Sequence, residues 1–246
     1  MITETIHYQC NDVTLSGYLA CTESSRAKRP AVIIAHTWHG QDEFVKEKAR
    51  DLAELGYVGF AADVFGNGKQ ADNNTDALQL MLPLFLDRQL LRDRICAAVE
   101  AVKTHPLVDP EAIGAIGFCF GGLTVIELLR SGAPLLGVVS FHGLLGYKLG
   151  DYRAKKVPND PDMKGSLLIL HGHKDPMVSA ADIAAAQEEF TDAGIDWQMN
   201  IYGNAMHGFT NPLSDDPKNG LLYNEEVALR SWQAMCNFFE EIFPSY

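Results

Sequence analysis

Residues 115–122 read Ala115-Ile116-Gly117-Phe118-Cys119-Phe120-Gly121-Gly122, and this stretch decides the fold. An apolar run of strand type ends here, and a helical pattern begins about two residues later. A chain that reverses from strand to helix so abruptly forces its middle residue into strained backbone angles. Glycines two positions to either side remove the crowding that side chains would cause. Cys119 is expected to stand above a sheet, at the N-terminus of the following helix. Helix N-terminal amides favour a thiolate there, and the amide of Phe120 points to where an oxyanion would develop. The competing reading is a buried core cysteine with packing glycines, since cysteine is among the most buried residue types. The motif alone does not separate the two.

Outward from this bend, short apolar strands alternate with amphipathic helices. Residues 3–10 and 13–20 predict a hairpin around Asn11-Asp12, and 31–35 a buried strand. Residues 42–55 predict a helix with Phe44, Ala49, Leu52 and Leu55 inward. Residues 57–62 predict a strand. Residues 75–104 are helical in pattern but contain Pro83, so two helices or a kink are expected there. The second piece, 86–103, turns Leu90, Ile95, Ala98, Val99 and Val102 inward. Strands follow at 112–117, 136–141, 167–170 and 197–202, with helices from about 121, at 181–193 and at 224–243. The last helix presents Leu229, Trp232, Met235, Phe238 and Phe239 for burial. The long polar stretches 144–164 and 211–222 follow sheet strands. This order specifies an α/β fold with a mostly parallel sheet, helices on both faces and an N-terminal antiparallel hairpin. No composition shift marks a boundary, so residues 1–246 are expected to form one domain.

Two further segments complete the chemistry. Gly172-His173-Lys174-Asp175-Pro176 follows one apolar strand, and Met206-His207-Gly208-Phe209 follows the last one. Strand ends opening into loops are where open α/β sheets place functional groups. The chain order of nucleophile, acid and histidine is that of α/β-hydrolases. In this reading His207 takes the thiol proton or holds an ion pair with Cys119, and Asp175 fixes the histidine's tautomer. Asp175 as a turn cap before Pro176 is the plainer alternative. His173 would leave Asp175 with nothing to orient. His36 and His39 flank Thr37-Trp38 at the end of the strand 31–35, where the amide of Trp38 would serve as a second oxyanion donor. His142 ends the strand after the nucleophile helix and is expected to line the pocket. His36, His39 and His142 lack the glutamate of a zinc-hydrolase helix, so no metal is expected.

Composition narrows the field. The 246 residues are 47% hydrophobic and 21% charged, which suits a large globular core. The formal net charge of −12 argues against a nucleic-acid surface. The basic groups Arg26-Ala27-Lys28-Arg29 and Arg153-Ala154-Lys155-Lys156 read as solvated loop charges. The five cysteines have long spacings and no metal pattern. There is no basic-then-apolar leader at the N-terminus and no membrane-length apolar run. A reduced, cytoplasmic setting is expected, with no membrane partner and a monomer or homodimer.

On Gly117-Phe118-Cys119-Phe120-Gly121-Gly122, Gly172-His173-Lys174-Asp175-Pro176 and Met206-His207-Gly208-Phe209, the chain resembles the dienelactone hydrolase family, a branch of the α/β-hydrolases. The resemblance covers nearly the whole chain. It implies the three-layer α/β-hydrolase fold, a Cys119–Asp175–His207 triad, oxyanion amides from Trp38 and Phe120, no cofactor, and a small-molecule ester or lactone as substrate. Two positions depart from the family. A glutamate that restrains the thiol is replaced by Thr37, and an arginine that grips a substrate carboxylate is replaced by Asn211. Arg88 or Arg92 is left as a possible source of positive charge. With that clamp gone, a related ester or lactone is favoured over the family's dienelactone. Trp38, Phe118, Phe120 and Phe209 suggest an apolar pocket. The rivals are a carboxylesterase or thioesterase on the same triad, a non-catalytic binding protein of this fold, and a thiol-redox enzyme using Cys96 or Cys236.

Overall fold

The computed structural model of the chain describes residues 1–22 and 28–244. In order, the chain runs β1 (Ile2–Cys10), β2 (Val13–Cys21), β3 (Arg29–Ala35), α1 (Glu43–Glu54), β4 (Val58–Ala61), α2 (Asn74–Leu86), α3 (Arg88–Lys103), β5 (Val108–Phe118), α4 (Phe120–Arg130) and β6 (Gly137–Phe141). It continues with β7 (Lys148–Leu149), β8 (Tyr152–Arg153), β9 (Ser166–Gly172), α5 (Ala180–Asp192), β10 (Trp197–Tyr202), β11 (Asp215–Asp216), β12 (Leu221–Leu222) and α6 (Glu225–Ile242).

Eight strands form one sheet in the order β1-β2-β4-β3-β5-β6-β9-β10. β1, β2 and β4 pair antiparallel, and every pair from β4–β3 onward is parallel. Alternation along the strands divides the core in two. Ile33, Ala35, Ile113, Ala115 and Ile169 face one way and pack on α2 to α5. Val32, Ile34, Ile116, Phe118, Val139 and Leu168 face the other way and pack on α1 and α6. Both faces of the central strands are therefore apolar, as a sheet covered on both sides requires. All the parallel strands end at one edge, and the site is built there.

Several sequence expectations are corrected. Two helices are found over this stretch, as expected, but Pro83 lies inside α2 and the helix runs past it. The break falls at Asp87, whose backbone leaves helical space (φ −104°, ψ 88°) and whose carboxylate caps Leu90 N–H at the start of α3. In α3 the fully buried leucine is Leu91, while Leu90 is only partly covered. Leu55 is exposed because it caps α1 beyond the buried stripe of Val45, Ala49, Leu52 and Ala53. Leu229 is also exposed, on the rim of a groove of about 380 Å³ that Phe44, Lys48 and Trp232 help to line. Of the two basic groups, Arg26 and Ala27 lie outside the described residues. Arg29 is no loop charge: it is buried in β3, and its Nη1 donates to Thr22 Oγ1.

Candidate active site

Cys119 is the single residue between β5 and α4, and its backbone takes φ 58° and ψ −115°. That strain persists because its surroundings leave no alternative. A Cβ on Gly121 would lie 2.0 Å from Ala35 O, and one on Gly117 would lie 2.0 Å from Gly121 O. The two glycines thus let α4 sit directly on β3 and on the end of its own strand, and Cys119 occupies the apex. Its side chain is half-buried and its thiol is free. Phe120 is the first residue of α4, where a helix leaves its amides without intrahelical partners.

Asp175 lies three residues beyond β9. Its Oδ1 accepts from Met177 N–H at 2.8 Å, and its Oδ2 faces His207 Nδ1 at 2.7 Å. His207 is 1% exposed, and its backbone is clamped from both sides. His207 N–H donates to Gly220 O at 2.9 Å, and Leu222 N–H donates to His207 O at 3.1 Å. The stretch 211–222 is therefore a support for the histidine. It leaves after Thr210, forms the small β11–β12 pair and returns beside it. The other ring nitrogen, Nε2, is buried and has no hydrogen-bond partner among the described residues. Burial by itself would disfavour the charged imidazole. The neighbouring Cys119 sulfur and the Asp175 carboxylate outweigh it and raise the His207 pKa to about 10. Cys119, Asp175 and His207, from three distant parts of the sequence, are thus brought together at the carboxyl edge of the sheet.

The loop after β3 approaches the same edge. Trp38 is half-buried, and no backbone partner takes its N–H among the described residues. Thr37 is buried and spends its Oγ1 on His39 N–H at 3.3 Å. His39 is half-buried, edge-on to Trp38 with ring centroids 5.1 Å apart. His36 is fully buried. Its Nε2 accepts from Val64 N–H, so the proton sits on Nδ1 and is donated to Thr37 O at 2.7 Å. This fixes the loop from beneath.

Several pocket expectations are corrected. Arg88 is buried in the helix layer. Its Nη1 lies 3.9 Å from Glu127, its Nη2 donates to Gly146 O, and its guanidinium covers the ring of Phe85 at 4.5 Å. Arg92 is held by the same Glu127 at 2.7 Å. Neither is free to grip a substrate carboxylate. Asn211 turns its Oδ1 back to Leu213 N–H within its own loop, a local turn contact typical of asparagine. Phe209 is fully buried behind the triad against His142 and Tyr202. His142 is 2% exposed and both its ring nitrogens are engaged, so it has nothing to offer a pocket. Phe118 and Phe120 are likewise core residues, leaving Trp38 as the partly accessible aromatic of the four.

Sequence reasoning missed Thr210, the hydroxyl partner of His142. It also missed His171, buried at the end of β9 and electrostatically coupled to Asp175 and His207. Burial lowers the His171 pKa, with the Asp175 charge opposing. His171 could have been flagged only as the polar end of an apolar run, since β9 is buried on both faces and does not alternate. No local pattern marks Thr210.

The strand order, the helices on both faces and the bend carrying Cys119 define an α/β-hydrolase. Residues 15–243 match the dienelactone hydrolase family, and the chain belongs to it. It is therefore a hydrolase of carboxylic esters or lactones. A protein of Aquifex aeolicus named "Putative carboxymethylenebutenolidase" is 27% identical over 96% of both chains. Among solved structures, "m3DLH" is 36% identical with a TM-score of 0.90 over 99% of both chains. A dienelactone hydrolase-like promiscuous phosphotriesterase, P91 from metagenomic libraries, is 35% identical with a TM-score of 0.90 over 99% of both chains.

Proposed function

We propose that the protein hydrolyses a neutral ester or lactone through a covalent acyl-enzyme on Cys119. The observation that carries this reading is the imidazole of His207. Its Nδ1 is engaged by Asp175 at 2.7 Å, while its buried Nε2 is left without a partner beside the Cys119 sulfur. His207 takes the thiol proton or already holds it, and the sulfur attacks as the nucleophile. The thiolate attacks the carbonyl carbon, and the carbonyl π electrons move to the oxygen, which accepts from the amides of Trp38 and Phe120. Collapse of the tetrahedral species breaks the bond to the leaving alkoxide, which takes the proton from Nε2. The product is a thioester on Cys119. Water then attacks this thioester as Nε2 takes one of its protons, and the acid leaves with thiolate and imidazolium restored.

The substrate is assigned as uncharged at its far end because Arg92 is committed to Glu127, Arg88 is buried in the helix layer beside it, Thr37 carries no charge and Asn211 serves its own loop. Carboxylesters and thioesters share this chemistry and differ in pocket fit. A neutral phosphotriester is the second reading, since P91 carries that activity in its description and the same thiolate and amides would serve a phosphoryl oxygen. The assay is a panel of neutral and carboxylate-bearing esters, lactones, thioesters and phosphotriesters against wild type and variants. Cys119→Ala is expected to reduce turnover to background with the fold retained, His207→Ala nearly so, and Asp175→Asn by about 10²–10⁴-fold. Full activity in Cys119→Ala, or a preference for carboxylate-bearing substrates, contradicts the reading.

A further inference from the structure

We infer that His142 is a positioning residue that holds the nucleophile bend through the backbone of Cys119, an inference that rests on Cys119 being the attacking group. The amide of Cys119 is shared between two acceptors, Phe141 O at 3.1 Å and the Nδ1 of His142 at 3.1 Å. A nitrogen that accepts an N–H carries no proton, so the His142 proton sits on Nε2. That N–H donates to Thr210 Oγ1 at 2.8 Å. The ring is thus a strut with one end on the nucleophile's own peptide. Its other end is on the loop that carries His207, three residues before Thr210.

The surroundings hold the strut in one state. His142 adopts φ 39°, a left-handed backbone uncommon outside glycine and asparagine, and its N–H donates to Leu170 O at 2.8 Å. The ring lies between Phe209 at 4.9 Å and Phe118 at 6.2 Å, edge-on to His207 at 5.2 Å. The titratable groups facing it are His207 and, beyond it, His171; burial first and the positive His207 second keep His142 neutral. Neutrality matters twice. A protonated Nδ1 would release the Cys119 amide, and a second positive ring would compete with the imidazolium of His207. The bend at Cys119 is strained, so an acceptor fixed on its N–H restrains the peptide that aims both the sulfur and the Phe120 amide.

The roles divide cleanly between replacements. Asparagine places its Oδ1 about where Nδ1 stands and tolerates a positive φ, whereas phenylalanine keeps the ring and loses both polar contacts. In His142→Phe, kcat and the alkylation rate of Cys119 by iodoacetamide are expected to fall by about tenfold to hundredfold with KM nearly unchanged, as for a misplaced reacting group. In the same variant the Cys119 amide proton should shift and exchange faster in heteronuclear NMR spectra. His142→Asn should restore the amide signal and most of the rate. Thr210→Val, which releases only the far end, should give an intermediate loss and keeps the test open if His142→Phe does not fold. An unchanged Cys119 amide in folded His142→Phe overturns the inference, as does His142→Asn falling as far as His142→Phe. The amide readout does not depend on turnover. A failure of the nucleophile assignment would appear separately, as full activity in Cys119→Ala.

Discussion

In the proposed mechanism His207 carries the proton, and its charge is decided by a contest. Burial favours the neutral ring, while the Cys119 sulfur and Asp175 favour the cation and raise its pKa to about 10. A raised histidine pKa means that the proton is held at neutral pH and lost only as pH climbs through the raised value. The leaving group needs that proton, so kcat/KM for ester hydrolysis is expected to fall as pH rises through about 10. Alkylation of Cys119 by iodoacetamide needs only the thiolate and should not fall over the same range. Hydrolysis that still climbs above about pH 10 would contradict the assignment. The three residues of the constellation are legible in the sequence because each follows an apolar strand and sits in a glycine-bearing turn. The His142–Cys119 contact is not legible. It depends on a left-handed twist at His142 and on an amide shared between two acceptors, neither of which leaves a mark in local pattern.

At the scale of elements, α4 shows what burial demands. Every residue from Phe120 to Arg130 is buried, including Glu127. That carboxylate is affordable only because Arg92 and Arg130 reach it at 2.7 and 2.9 Å, with Arg88 at 3.9 Å. Removing it leaves the buried Arg88 and Arg92 without a carboxylate, while Arg130 keeps Glu189 at 2.8 Å. Glu127→Ala is expected to destabilise the fold by about 3–5 kcal/mol, the usual cost of breaking a buried pair from one side. A denaturant midpoint measured at constant m-value checks this, and a change under about 1 kcal/mol would show that the cluster is not buried in solution. The sequence expectation for Arg88 and Arg92 failed for the same reason. Two arginines on one helix say nothing about which partner they meet, and here the partner is a glutamate one helix away. Two helices do follow one another over 75–104, but the first tolerates Pro83, and the break falls at Asp87, which ends α2 and caps the start of α3.

Across the whole molecule, the alternation of strands and helices was enough to give the layers, because a parallel sheet with two apolar faces must be covered on both. The long stretch 211–222 was legible only as a polar loop. Its role appears once its second short strand is seen bonded to the backbone of His207. Replacing residues 213–222 by a short Gly-Ser link is therefore expected to lower kcat by more than about tenfold, because His207 loses its lateral support, with a smaller effect on thermal unfolding than on rate. Unchanged kcat would show that the loop is dispensable for the histidine. Among the described residues no helix is long and apolar enough to cross a membrane, and no cluster of His, Cys, Asp and Glu could hold a metal ion.

The central claim is that one sulfur carries the acyl group, and rapid quenching followed by mass spectrometry tests it most directly. Wild-type protein mixed with p-nitrophenyl acetate and quenched in acid during the burst should carry one acetyl group, on the peptide containing Cys119 and on no other. The adduct should persist longer in His207→Ala, if it forms there at all. An acetyl group on a different residue that decays at the rate of turnover would contradict the account, as would steady turnover with no adduct on Cys119 at any time.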